Sequence, residues 1–183
     1  AAASIELLHC ASLVHDDLPA FDNADIRRGK PSVHKAFGEQ VALLAGDALI
    51  VLAFETLAIQ SASKPDNLAQ LIQIIAASVG APRGIVAGQA WESEQRINLA
   101  NYHQEKTGAL FAAATMAGAS SCGYSPEEWR HLGITVGESY QIADDIRDVC
   151  ASAEEIGKPT GQDEANNRPN IARELGVDEA VQL

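Results

Sequence analysis

The most restrictive feature of the sequence is its opening segment. Residues 1–17 carry Ile5, Leu7, Leu8, Cys10, Ala11, Leu13 and Val14 and leave a narrow polar stripe, so a helix here is apolar nearly all round. Such a helix must be covered by other elements on most sides. It stops near Pro19, because Leu18, as the residue before a proline, is pushed out of helical conformation. Residues 21–31 then read as an irregular polar connection carrying Arg27, Arg28, Gly29 and Lys30, the kind of loop on which chemistry often sits. Further helices are predicted over 40–60, 67–79, 85–94, 99–119 and 126–149, with a frayed one at 178–181 and breaks at 64–66, 81–83 and 123–126. No run alternates in strand fashion, and there is no internal repeat or interdomain linker. The expected fold is all-α, with long helices packed side by side in a single domain over 1–183.

Charge narrows the function. The 25 acidic residues against 13 Lys plus Arg leave 13 − 25 = −12, a field that repels phosphate backbones and anionic lipid. Nucleic acid is therefore not an expected partner. A protein this acidic binds an anionic ligand when divalent cations bridge the two, so the placement of the carboxylates decides the matter. Cys10, Cys122 and Cys150 lie far apart without metal-ligand or disulfide spacing, which suits a reducing cytoplasm. The longest apolar stretch, 41–58, contains Asp47 and Glu55, and there is no basic signal peptide, so no integral membrane segment is expected. The chain opens with three alanines and no Met, as a piece of a longer chain would.

Two carboxylate clusters stand out. The first comprises Asp16, Asp17 and Asp22, three acids within seven positions, followed by Asn23, Asp25 and Arg27-Arg28-Gly29. Two carboxylates about 4 Å apart repel by roughly 4 kcal/mol at an effective dielectric near 20, and a helix C-terminus adds to the penalty. A cation relieves both. A solvated acidic helix end is the plainer reading, weakened here because an almost wholly apolar helix delivers the pair. The second cluster is Gln141, Asp144, Asp145 and Asp148, which spacings of three, four and seven put on one helical face, with Tyr140, Ile142, Ala143, Ile146 and Val149 covering the rest. Carboxylates at one-turn spacing suit a hard divalent ion that keeps some of its waters, and Mg²⁺ commonly pairs a few carboxylates with phosphate oxygens. Arg27, Arg28 and Lys30 after the first cluster, Lys106 with Thr107, and Lys158 after the second supply the forks and point charges that phosphates take.

Asp16-Asp17-x4-Asp22-x4-Arg27-Arg28-Gly29, continuing Lys30-Pro31-Ser32-Val33-His34, together with Asp144-Asp145-x-x-Asp148, resembles the two aspartate-rich motifs of the trans-isoprenyl diphosphate synthase (polyprenyl synthetase) family. Gly46-Asp47, Gly88-Gln89, Lys106-Thr107-Gly108, Tyr140-Gln141 and Gly157-Lys158-Pro159 match further landmarks in order, and the stretch 85–111 is most similar to bacterial geranylgeranyl diphosphate synthases. The resemblance implies an isoprenoid-synthase bundle of long antiparallel helices around a central cavity, as a homodimer. It implies Asp16 and Asp22 as ligands of two Mg²⁺ ions and Asp144 as ligand of a third, with Asp17, Asp145 and Asp148 in direct or water-mediated support. Arg27, Lys106 and Lys158 would bind the allylic diphosphate, Arg28 and His9 the isopentenyl diphosphate, and Thr107 and Gln141 would line the carbocation region. The implied reaction is ionisation, condensation and elimination, without a protein nucleophile.

Product length follows, by the same resemblance, from the residue five positions before the first motif, where a large aromatic stops growth at farnesyl. Ala11, with Ser12 after it, leaves room for a geranylgeranyl chain; the other reading makes Ala11 a tight helix-packing residue, with the floor at Leu7 or Leu8. The family's upstream Gly-Lys-Arg element and closing C-terminal helices have no counterpart here. Gln162 stands where relatives often have a second Lys, and Arg168 where another Lys is common. The alternatives are a farnesyl diphosphate synthase, a class I terpene cyclase, against which Arg28 and the complete second motif argue, and a noncatalytic subunit of a prenyl synthase, against which the six retained aspartates argue.

Overall fold

The structure, a computed structural model, describes residues 1–61, 65–92, 94, 102, 104–150 and 170–183. Among these the chain is all-α apart from one two-residue antiparallel pair. In order come α1 (Ala2–Asp16), β1 (Ile26–Arg27), β2 (Lys30–Pro31), α2 (Val33–Phe37), α3 (Glu39–Ser61), α4 (Pro65–Val79) and α5 (Ile85–Trp91). A π-helical turn (Gln104–Gly108) leads into α6 (Ala109–Ser121), and a 3₁₀ turn (Glu127–Trp129) leads into α7 (Arg130–Cys150); α8 (Ile171–Leu175) and α9 (Val177–Ala180) follow.

The sequence expectations need local correction. The helix expected over 85–94 stops at Trp91, where Glu92 turns to receive Tyr102 and, from the π turn, Lys106. Of the helix expected over 99–119, Tyr102 is α-helical, Gln104–Gly108 form that π turn and Ala109–Ser121 are α-helical again. The segment 21–31 contains the short β1–β2 pairing, Ile26 with Pro31 and Arg27 with Lys30. Its turn places Arg28 at φ 53° and Gly29 at φ 74°, a left-handed pair that glycine adopts without strain. Helices α2 and α8, five residues each, are too short to show a periodic signal.

The chain divides into two compact units. One comprises Ala1–His9 and Leu49–Glu138, the other Cys10–Ala48 and Ser139–Leu183. The core of the first gathers Leu8, Ala53, Leu57, Leu71, Ile74, Ile75, Ala112, Ala113, Met116 and Ala117. Full burial of side chains such as Leu8, Leu57 and Ile75 stabilises by about 1.5–3 kcal/mol each. Small residues bring the backbones close: a Cβ on Gly133 would lie 2.5 Å from Ala112 Cα, and one on Gly137 would lie 2.7 Å from Gly108 Cα. The second unit carries both acidic motifs, at the ends of α1 and α7. Helix α3 leaves Val41, Leu43, Leu44, Val51, Leu52 and Ile59 exposed, and its span Glu39–Ile59 is, by length and composition only, long and apolar enough to cross a membrane.

Candidate active site

The first acidic motif is built where α1 ends. Asp17 N still donates to Leu13 O at 3.1 Å; then the chain folds back, Asp22 N donating to Asp16 O at 2.9 Å and Ala24 N to Asp17 O at 3.2 Å. That return brings Asp22 beside Asp16. Arg27 on β1 reaches into the group, with Nε and Nη2 donating to Asp17 Oδ1 at 2.9 and 2.5 Å. Its Nη2 stands 3.7 Å from Asp16 Oδ2 and 4.0 Å from Asp22 Oδ2. Burial by itself would lower the Arg27 guanidinium, but the hydrogen bond to Asp17 and the charges of Asp17, Asp16 and Asp22 outweigh it and hold it above its ordinary value. The three acids are not equivalent: the Asp17 side chain is 4% exposed, against 19% for Asp16 and 13% for Asp22. Asp17 is therefore the anchor, and Asp16 and Asp22 are the two with more access to a ligand. One arginine against three carboxylates leaves 1 − 3 = −2.

His15, next to the motif, anchors it to α3. Its Nε2–H donates to Leu43 O at 3.1 Å and lies 3.8 Å from Asp47. The ring packs where α3 has Gly46, and any Cβ there would overlap it. The pair Gly46-Asp47 is thus a seat for the end of α1, a role that its place in the sequence does not reveal.

In the second motif, Asp145 is buried and fully engaged. Oδ1 accepts from Gln141 Nε2 at 2.7 Å and Oδ2 from the Ile171 backbone N–H at 2.8 Å, while the Asp145 carbonyl accepts from Asn170 Nδ2 at 3.3 Å. Burial pushes the Asp145 carboxyl above the usual range; hydrogen bonds from Ile171 and Gln141 oppose that, and the charges of Asp144 and Asp148 reinforce it. Asp148, also buried, takes Arg173 Nη2 at 3.4 Å. Asp144 is half-buried. Asn170 and Arg173 are site residues that sequence reasoning missed, although Asn170 before an apolar run is an N-cap signal, and its side chain does accept from Arg173 N at 3.1 Å.

In the first unit, Lys106 and Thr107 lie on the π turn. Lys106 Nζ donates to Glu92 Oε1, which also accepts from Tyr102 Oη at 2.6 Å, and Glu92 Oε2 accepts from Gln89 Nε2 at 2.9 Å. Glu92 and Tyr102 are the further residues that the sequence did not single out. His9 and Ser12 are half-buried on α1, Ala11 is 2% exposed, and Arg28 is exposed at the hairpin turn. Lys158 lies outside the described residues.

Among the described residues no group of three His, Cys, Asp or Glu side chains forms a ready metal cage. The donor chemistry nevertheless fits magnesium, which takes oxygen ligands, retains several waters and needs only one or two carboxylates from the protein. Asp16 and Asp22 in a cluster with two excess negative charges provide that.

Known proteins resemble the chain along nearly its whole length. The chain is 56% identical to the geranylgeranyl diphosphate synthase of Cereibacter sphaeroides over 99% of its length and 58% identical to that of Rhodobacter capsulatus over 98%, spanning 63% and 62% of those proteins. It thus covers about three fifths of the curated relatives it matches. A crystal structure of the Helicobacter pylori geranyltransferase complexed with magnesium and isoprenyl diphosphate superimposes with a TM-score of 0.86 at 35% identity, over 98% of this chain and 61% of that one. With the polyprenyl synthetase family model matching residues 1–178, the chain belongs to the polyprenyl synthetase family.

Proposed function

We propose that this chain is the part of a magnesium-dependent trans-prenyltransferase that carries its acidic motifs, joining isopentenyl diphosphate to an allylic diphosphate and releasing geranylgeranyl diphosphate. The observation that carries the reading is the gathering of Asp16, Asp17 and Asp22 on Arg27 with net charge −2, in the same unit as Asp144-Asp145-x-x-Asp148. Relatives 56–58% identical that are named geranylgeranyl diphosphate synthases support the product. The magnesium and isoprenyl diphosphate bound by the H. pylori enzyme support the ligands.

Asp16, Asp22 and Asp144 would hold the metal, three ions in all, with Asp17, Asp145 and Asp148 fixing the motifs that present them. Magnesium bound there supplies positive charge to the leaving diphosphate. Arg27, Lys106 and Lys158 are assigned to that same diphosphate and Arg28 and His9 to isopentenyl diphosphate. The allylic C–O bond breaks with both electrons leaving on the diphosphate; the isopentenyl double bond attacks the allylic cation, and the new cation loses a proton to the released diphosphate. Thr107 and Gln141 line the cation region. Ala11 and Ser12 leave the chain-length floor open.

The protein is proposed to act in the cytoplasm, in keeping with Cys10, Cys122 and Cys150, which form no disulfide with one another. It is proposed to act as a homodimer, for which the exposed apolar residues of α3 provide a surface. The deciding experiment incubates the full-length protein with Mg²⁺, isopentenyl diphosphate and farnesyl diphosphate and identifies the prenyl alcohol after dephosphorylation. Geranylgeraniol is expected. Growth that stops at farnesyl from a shorter primer marks a farnesyl synthase, a hydrocarbon from the allylic diphosphate alone marks a cyclase, and no product in either assay marks a noncatalytic subunit.

A further inference from the structure

We propose that Glu92 is a positioning residue for Lys106, holding its ammonium ready for the diphosphate, and that Tyr102 and Gln89 hold Glu92 so that Lys106 can leave it. The inference rests on the reading of Lys106 as a diphosphate ligand. A free lysine side chain gives up rotamer entropy when it is fixed, and an exposed ion pair generally contributes less than that costs. This pair is different in two respects. Its side chains are only 14% exposed at Glu92 and 22% at Lys106, and the carboxylate is occupied by two further donors, Tyr102 Oη at 2.6 Å and Gln89 Nε2 at 2.9 Å. Lys106 Nζ also stands 5.6 Å from the centre of the Tyr102 ring, whose residue is 5% exposed.

The frame around the pair is stiff. A Cβ on Gly88 of α5 would lie 2.6 Å from Lys106 N and 2.7 Å from its Cα, so α5 and the π turn meet backbone to backbone. Gly84 N donates to Glu105 Oε2 at 2.6 Å, tying the same two elements together one turn away. Glu92, just past the end of α5, therefore presents its carboxylate at a set distance from the root of Lys106. A diphosphate carries more negative charge than one carboxylate and draws the ammonium away. Glu92 is not stranded when that happens, because the hydroxyl of Tyr102 and the amide of Gln89 remain on its oxygens. A buried carboxylate losing its lone partner would make that exchange costly.

The test measures kcat and KM in the full-length protein for Glu92→Gln, Lys106→Ala, the double variant and Tyr102→Phe, with circular dichroism as the check on folding. Glu92→Gln is expected to lower kcat between about ten- and a hundredfold, the range that misplacing a group by roughly 1 Å can cost, with KM for isopentenyl diphosphate within about twofold. In the Lys106→Ala background the same change is expected to do nothing further. Tyr102→Phe keeps both charges, and a fall of about threefold or more in kcat is expected; it decides the matter should Glu92→Gln not fold. Wild-type kcat in Glu92→Gln or Tyr102→Phe beside an impaired Lys106→Ala, or losses from Glu92→Gln and Lys106→Ala that simply add, overturns the inference alone. Full turnover in Lys106→Ala removes the diphosphate role of Lys106 and the inference with it.

Discussion

Six aspartates of one type divide into different jobs at the scale of the residue. Asp17, Asp145 and Asp148 are sunk in the protein and held by donors, while Asp16, Asp22 and Asp144 retain access. Asp16→Ala and Asp144→Ala are therefore expected to abolish turnover with the helical circular dichroism nearly intact; normal turnover in either would remove the metal assignment. Arg27→Ala should act the other way on stability, because it leaves the Asp17 carboxylate buried without its guanidinium. A loss of about 3–5 kcal/mol in urea unfolding is expected, and a loss below about 1 kcal/mol would show that Asp17 is solvated after all. Ala11→Tyr, at a residue 2% exposed, should shorten the product toward farnesyl. An unchanged product from a folded variant places the floor elsewhere. The triplet spacing that made these acids visible in the sequence says nothing about which is buried and which keeps access. In the first motif that depends on Arg27, ten residues from Asp17, and in the second on Ile171 and Arg173.

Elements are held to one another by a few specific seats. Helix α8 is docked on α7 through Asn170, which caps it and also donates to the Asp145 carbonyl. Asn170→Ala is expected to cost about 1 kcal/mol for the cap and a similar amount for the buried hydrogen bond, read as a shifted urea midpoint at constant slope. The end of α1 is seated on α3 by His15 over Gly46, so Gly46→Ala should cost about 1–3 kcal/mol through overlap with the ring. The apolar residues of α3 are the surface on which the proposed homodimer is tested. Leu44→Glu, at a residue 65% exposed, should shift the protein toward monomer in sedimentation without lowering the melting temperature of the monomer.

Over the whole molecule, net charge sets the terms on which a diphosphate can be bound. At −12 the protein repels the substrate that its family handles, so turnover should vanish with a chelator and return with Mg²⁺. A non-reactive diphosphate with Mg²⁺ should raise the melting temperature by more than the sum of the two added singly, because neither charge is well placed without the other; simple additivity would argue against a shared site. Sequence by itself determined the all-α class, most of the long helices, both acidic motifs and the family, because periodicity and motif spacing are local properties of the chain. Tertiary structure alone decided which acids are buried, that residues 170–173 clasp α7, that His15 needs Gly46, and that Glu92 holds Lys106 beside Tyr102. Those partners lie 10 to 31 residues apart. Without a repeating pattern to reveal them, they become neighbours only when helices pack and solvent is excluded between them.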